Sequence, residues 1–184
     1  MNYFTCKDDK LTCLLCAHYC KLKIGQIGLC GVNQNIDNTV KNLVYGYPSA
    51  LHVDPIEKKP LYHFLPSSKA FSLGTIGCNF KCPFCQNWSL SQEKSLHVKE
   101  YFSPEKIITL AKAHQCESIA YTYNEPTIFW PYAKDIALLA HQENIKNIFV
   151  TNGFESSEVI EDMVGLIDAV NVDLKSFNET YYKK

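Results

Sequence analysis

From Ser68 onward the chain alternates short apolar runs with helix-like stretches, and this alternation constrains the fold more than any other feature. Residues 70–75, 118–123, 147–151 and 169–174 read as strands. Ser103 is placed to cap a helix with Pro104 at its first position, and Ile107, Ile108 and Ala111 form its apolar face. Pro126 to about Glu143 reads as a second helix, bent in its first turns by Pro131, and residues 155–165 as a third. Strands alternating with helices predict βαβ units on a parallel sheet. Short, continuously apolar strands suit a sheet covered on both faces or closed into a barrel.

The first third of the chain is different. Residues 1–45 carry five of the nine cysteines and no sustained helical period, which predicts a small metal-stapled module. Residues 46–68 contain Pro48, Pro55, Pro60 and Pro66 and read as an extended connecting segment. The expected organisation is therefore a cysteine-rich module over 1–45, a connector over 46–68 and an α/β core over 69–184.

Composition narrows the chemistry. With 184 residues, 46% of them hydrophobic, the chain can bury one ordinary core plus a small module. Its net charge of −1 argues against nucleic-acid capture, which needs a basic face. There are 18 lysines and no arginine, so any grip on a carboxylate or phosphate comes from lysine, backbone N–H groups or helix N-termini. The stretch from Met1 to Lys10 has no apolar leader, and no apolar run approaches the length of a spanning helix. A cytoplasmic, reducing compartment is expected, with no membrane partner. Clustered cysteines there point to metal rather than disulfides.

The densest chemical signal is Gly77-Cys78-Asn79-Phe80-Lys81-Cys82-Pro83-Phe84-Cys85-Gln86-Asn87, directly after the first core strand. Iron–sulfur clusters usually take four cysteine ligands. Three thiolates from one loop hold three irons of a cubane and leave the fourth for another ligand. A structural zinc is the rival, but zinc generally takes four protein ligands, often as two C-x2-C pairs. The other unusual polar motifs also follow strands: Tyr123-Asn124-Glu125-Pro126, Thr151-Asn152-Gly153 and Asp173-Leu174-Lys175. Ligands of parallel α/β sheets gather at such strand ends. Each motif has a plainer reading beside this one. Glu125 can cap a helix, Asn152-Gly153 can be a turn, and Asp173 and Lys175 can be an ion pair.

The cysteine run resembles the cluster loop of the radical S-adenosylmethionine (SAM) enzymes, including Phe84 just before the last cysteine. Together with Asp54-Pro55-Ile56-Glu57-Lys58-Lys59-Pro60-Leu61-Tyr62-His63-Phe64, it is similar to the AmmeMemoRadiSam-system enzymes, relatives of the pyruvate formate-lyase activating enzymes. The likeness runs from about Cys13 to the chain end. It implies a partial parallel (β/α) barrel and a [4Fe–4S] cluster on Cys78, Cys82 and Cys85. It also implies SAM beside Phe84, Asn124, Glu125, Thr151, Asn152, Asp173 and Lys175. Asn124-Glu125-Pro126 stands where activating enzymes carry Gly-Glu-Pro, so Tyr123 and Asn124 replace two glycines. The implied reaction generates a 5′-deoxyadenosyl radical that abstracts hydrogen from a protein, such as a backbone glycine, or from a small molecule. The implied partners are a protein substrate and a flavodoxin- or ferredoxin-like one-electron reductant.

Cys13, Cys16, Cys20 and Cys30 form a second candidate metal set, for zinc or a second iron–sulfur cluster, with His18 a possible replacement ligand. Cys6 has no partner spacing, and Cys116 reads as a small buried hydrophobe. Two rival readings remain. One is a metal-stapled structural or electron-transfer protein. The other is an inactive fragment, because the chain stops at Lys184 after only four strands and a closed barrel needs more.

Overall fold

The computed structural model describes residues 3–7, 10–95, 97 and 100–182. The two chain ends on which the leader and truncation expectations rest, Met1–Asn2 and Lys183–Lys184, lie outside the described residues.

The cysteine-rich segment is all β. Strands β1 (Phe4–Lys7), β2 (Lys10–Cys13) and β3 (Lys21–Leu22) form an antiparallel sheet, and β4 (Asn33–Ile36) pairs with β5 (Thr39–Asn42) as a hairpin. This segment shares its apolar core with the rest of the chain: Leu11, Leu15, Leu22, Val32 and Val44 belong to the same cluster as Phe71, Ile119 and Phe149. Polar ties reinforce the contact. Tyr3 OH donates to Asp162 (2.6 Å), Ala17 N to Phe154 O (3.1 Å) and Ser156 Oγ to Leu14 O (2.5 Å).

Residues 46–68 are extended in part, and they do more than connect. Strand β6 (Ala50–Pro55) pairs antiparallel with β7 (Lys69–Gly74), putting Pro55 at a sheet edge where a missing N–H is tolerated. The chain then turns through Ile56–Lys58 and crosses one face of the sheet, where Ile56, Leu61 and Phe64 pack on Ala70, Ala120 and Ile148.

After the short helix α1 (Trp88–Ser91), the expected alternation appears: α2 (Pro104–Ala113), β8 (Ser118–Tyr121), α3 (Trp130–Gln142), β9 (Lys146–Thr151), α4 (Ser157–Met163), β10 (Ala169–Val172) and α5 (Glu179–Tyr182). The sheet runs β10-β9-β8-β7-β6, with β7 to β10 mutually parallel. Ser103 caps α2, its side chain accepting from Lys106 N, and Pro104 occupies the first turn. Pro131 does not bend a long helix as expected. A 3-10 turn at Pro126–Phe129 precedes α3, and Pro131 sits in the first turn of α3, where its absent N–H would have had no partner.

The sheet has two unlike faces. Phe71, Ile119, Tyr121 and Phe149 meet α2 and α3 through Ile107, Ala111, Trp130 and Ile136, all buried. Fully burying each large side chain contributes about 1.5–3 kcal/mol. The other face is small and partly polar (Ala70, Ser72, Gly74, Ala120, Thr122), which leaves room above it. At the β10 edge, Val170 and Val172 are exposed. Cys116 is buried, as its small apolar character predicts. Among the described residues no helix is long and apolar enough to cross a membrane.

Candidate active site

The cysteine loop leaves β7 through a forced bend. Gly77 has φ +85°, and a Cβ there would lie 2.5 Å from the Cys30 carbonyl oxygen, so both conformation and space demand glycine. Asn124, at the end of β8, fastens the bend. Its Oδ1 accepts from Thr75 N (3.1 Å), and its Nδ2 donates to Gly77 O (2.8 Å) and Thr75 Oγ1 (3.1 Å). Cys78 Sγ accepts from Phe80 N (3.4 Å), and Cys85 Sγ lies 3.3 Å from Ser91 Oγ. Burial pushes the Cys78 thiol up to about 12 against the pull of the Phe80 N–H, and the nearby Glu125 adds to the rise. His18, offered as a replacement metal ligand, instead donates from Nε2 to Asn79 O (2.9 Å).

Glu125 is a buried carboxylate with both oxygens engaged. Its Oε1 accepts from Thr127 N (3.1 Å) and Thr151 Oγ1 (2.9 Å), and its Oε2 from Asn152 N (2.7 Å). It therefore caps the 3-10 turn after β8 and also ties that strand end to β9. Burial raises its carboxyl to about 7, with the neighbouring Glu155 adding to the rise and the three donors opposing it. Glu155 shares Thr151 and Thr127 with Glu125 and was not singled out by its sequence context. Asn152 Nδ2 donates to Asn79 Oδ1 (2.8 Å), joining the end of β9 to the cysteine loop.

Tyr123 stands at φ +73°, a region nearly free only to glycine. Such strain costs of order 1–3 kcal/mol and persists only where the surroundings hold it. Here Asn87 Nδ2 donates to its carbonyl (2.8 Å), and its hydroxyl donates to Asp54 Oδ2 (2.6 Å). The glycine-type backbone path survives the tyrosine.

These groups surround one cavity of about 530 Å³. Cys78, Cys82, Cys85 and Phe84 line one side, and Asn124, Glu125, Thr151 and Asn152 the adjoining strand ends. Asp173 and Lys175, ion-paired with each other, also reach it. Phe84 is exposed on the cavity side and stacks on Tyr181, with centroids 5.9 Å apart. Lys58, Lys59, Tyr123 and Asn87 line the same cavity without having been assigned a role from sequence. The two lysines sit inside a motif noted only for its resemblance, since nothing in linear sequence places residues 58–59 beside residues 78–85.

The second cysteine set lies outside this lining. Burial pushes the Cys13 and Cys16 thiols up to about 12, with Cys30 and Cys20 as neighbours that add to the rise. Gly28 sits between the Cys20 and Cys30 sulfurs, at 3.7 and 3.8 Å from its ideal Cβ position. Cys6 is exposed.

Residues 73–184 match the Radical SAM superfamily. The chain belongs to that superfamily. It is 37% identical over 186 aligned positions to an uncharacterized protein of Methanocaldococcus jannaschii, an alignment spanning 100% of this chain and 55% of the relative. It is 30% identical over 109 positions to a "Putative glycyl-radical enzyme activating enzyme" of the same organism, covering 57% of this chain and 42% of the relative. A second protein so described matches at 28% over 112 positions, 61% of this chain and 42% of that relative. The chain thus spans about half the length of the curated relatives it matches.

Radical SAM proteins in general use a [4Fe–4S] cluster and SAM. Among the described residues no three His, Cys, Asp or Glu side chains are gathered closely enough to hold a single metal ion. Cys78, Cys82 and Cys85 all line the cavity, and three thiols from one loop are a donor set that suits such a cluster with one coordination position left over. The N-terminal quartet would have to draw together to hold a tetrahedral ion.

Proposed function

We propose that this chain is the core of a radical SAM enzyme of the activating-enzyme kind, and more narrowly of the AmmeMemoRadiSam system. The observation that carries this is the convergence on one cavity of three thiols from a single loop and the polar ends of β8, β9 and β10. When bound, a reduced [4Fe–4S] cluster with SAM at its open iron would supply one electron for reductive cleavage of the sulfonium C–S bond, giving methionine and a 5′-deoxyadenosyl radical for hydrogen abstraction from a substrate C–H bond. Cys78, Cys82 and Cys85 would hold the cluster. Asn124 holds the cysteine loop in place. Glu125, whose carboxyl burial raises to about 7, is proposed to lie near the SAM ammonium, whose positive charge would favour its ionised form. Phe84 offers an apolar wall to the adenine, and Thr151, Asn152, Asp173 and Lys175 supply polar contacts across the strand ends.

The protein is proposed to work in a reducing cytoplasm, with a protein substrate and a flavodoxin- or ferredoxin-like reductant. The four parallel strands are proposed as part of a (β/α) barrel. Residues 1–45 are proposed as a metal module in which Cys13, Cys16, Cys20 and Cys30 close on zinc or a second iron–sulfur cluster. Anaerobic reconstitution followed by iron and sulfide analysis and an assay for 5′-deoxyadenosine tests the main reading. Cys82→Ala should abolish the cubane spectrum and the product; a normal cluster in that variant would refute the assignment. Metal retained by the Cys78/Cys82/Cys85 triple alanine variant would support the second site, and a metal-free, folded triple variant would remove it.

A further inference from the structure

Lys58 and Lys59 are the part of the cavity wall that the proposed reaction leaves unused. They enter from the Ile56–Lys58 turn after β6, not from the C-terminal end of a parallel strand. Lys58 Nζ donates to Asp54 Oδ1 (2.8 Å) and Lys59 Nζ to Asp54 Oδ2 (2.7 Å). Tyr123 OH donates to the same Asp54 oxygen (2.6 Å), and the Lys59 ammonium lies 4.9 Å from the Tyr123 ring centroid.

Two ammoniums share one carboxylate, so the assembly keeps one net positive charge. Of the other acids lining the cavity, Asp173 is paired with Lys175, and Glu125 spends its oxygens on Thr127 N, Thr151 Oγ1 and Asn152 N at the ends of β8 and β9. Lys59 is buried, its side chain 3% exposed, and is held in place on Asp54; Lys58 is 63% exposed and keeps donors open to the cavity and solvent. One lysine would suffice to neutralise Asp54. A lysine offers three N–H donors, and each spends one on Asp54, leaving others to aim into the cavity. A chain with no arginine has no guanidinium fork, so an oxyanion site draws on lysine, backbone N–H groups or helix N-termini, and paired lysines are what this wall offers. Tyr123 separates this charge from the cysteines: its carbonyl is held by Asn87 of the cysteine loop, while its hydroxyl reaches Asp54.

Resting on the radical SAM reading of the same cavity, we infer that Lys58 and Lys59, held on Asp54 beside Tyr123, form an oxyanion subsite for the substrate. The substrate then carries a carboxylate or phosphate that docks there, while its reacting carbon faces the cysteine side. The same chemistry has a second source in the methionyl carboxylate of SAM, and the experiment separates the two.

Inorganic phosphate is titrated calorimetrically into the full chain, before and after anaerobic reconstitution, for wild type, Lys58→Gln, Lys58→Arg and Lys81→Gln. Lys81 is exposed and outside the cavity lining. Lys58→Gln should weaken phosphate binding by about tenfold or more, the worth of a charge-assisted hydrogen bond. Lys58→Arg should retain most of the affinity, and Lys81→Gln all of it. SAM affinity of the reconstituted chain, measured by equilibrium dialysis, should be unchanged in Lys58→Gln. Equal phosphate binding by wild type and Lys58→Gln, or none by wild type, overturns the subsite. Parallel loss of SAM binding in Lys58→Gln assigns the oxyanion to SAM and overturns the substrate claim. A chain that takes up neither iron nor SAM yet binds phosphate through Lys58 overturns the radical SAM reading and leaves the subsite standing.

Discussion

Replacing Asn124 by alanine should destabilise the chain and loosen the cysteine loop together. Asn124 is buried, and its amide is the shared partner of Thr75 N, Thr75 Oγ1 and Gly77 O. Alanine leaves the Thr75 N–H and the Gly77 carbonyl without that partner in a buried setting. Each orphaned group costs about 1–3 kcal/mol. The cavity lies alongside, so water can reach part of the gap, and a total of about 3 kcal/mol is expected. For a chain of this size that lowers the melting temperature by about 6–12 °C. Urea unfolding of the metal-free chain measures the loss, and iron uptake on anaerobic reconstitution should fall in parallel. Asn124→Asp is the sharper control. It keeps an acceptor for Thr75 N but turns a second oxygen toward Gly77 O, so it should rescue little. A stability loss below about 0.5 kcal/mol, the level of an ordinary surface change, combined with full iron uptake would refute the clamp.

Three further outcomes follow from the buried charges. Glu125 has its pKa raised by burial from 4.5 to about 7, so the native state keeps a proton that the unfolded state releases. Stability should therefore fall by about 3 kcal/mol as pH rises across that window and stay level above it; an equal slope in Glu125→Gln, seen by urea unfolding at both ends of the window, would contradict this. Asp168 is half shielded by burial, yet Lys146, Asn147 N and His141 hold its carboxyl below the usual range. Asp168→Asn should cost about 1–2 kcal/mol at neutral pH, with the gap to wild type closing as acid protonates Asp168 itself. Asp162 gathers Tyr3, Trp130 and Lys134, so Asp162→Ala should release the β1–β2 hairpin and speed tryptic cleavage after Lys10.

Much of the core was legible in the chain. Four apolar runs became β7 to β10, and Ser103-Pro104 opened α2 as a cap and first turn do, because these are local preferences written in neighbouring residues. The cysteine spacing and the polar strand ends pointed to one site for the same reason. The N-terminal strands β1 to β5 and the edge strand β6 were not legible: they are short, β1 to β5 are largely polar, and they are held by packing and hydrogen bonds to residues far along the chain. Some of the wiring at the site escaped the sequence. Asn124 and Glu125 were read for a ligand, with a helix cap as the plainer role of Glu125, and the fold also ties their polar atoms to Thr75, Gly77, Thr127, Thr151 and Asn152. By itself, then, the sequence determined the alternating core from β7 to β10 and the gathering of three cysteines in the loop after β7. Only the tertiary structure decided that Lys58 and Lys59 share a cavity with Cys78, Cys82 and Cys85, because that contact depends on a segment crossing the sheet face, a long-range packing choice that no local preference encodes.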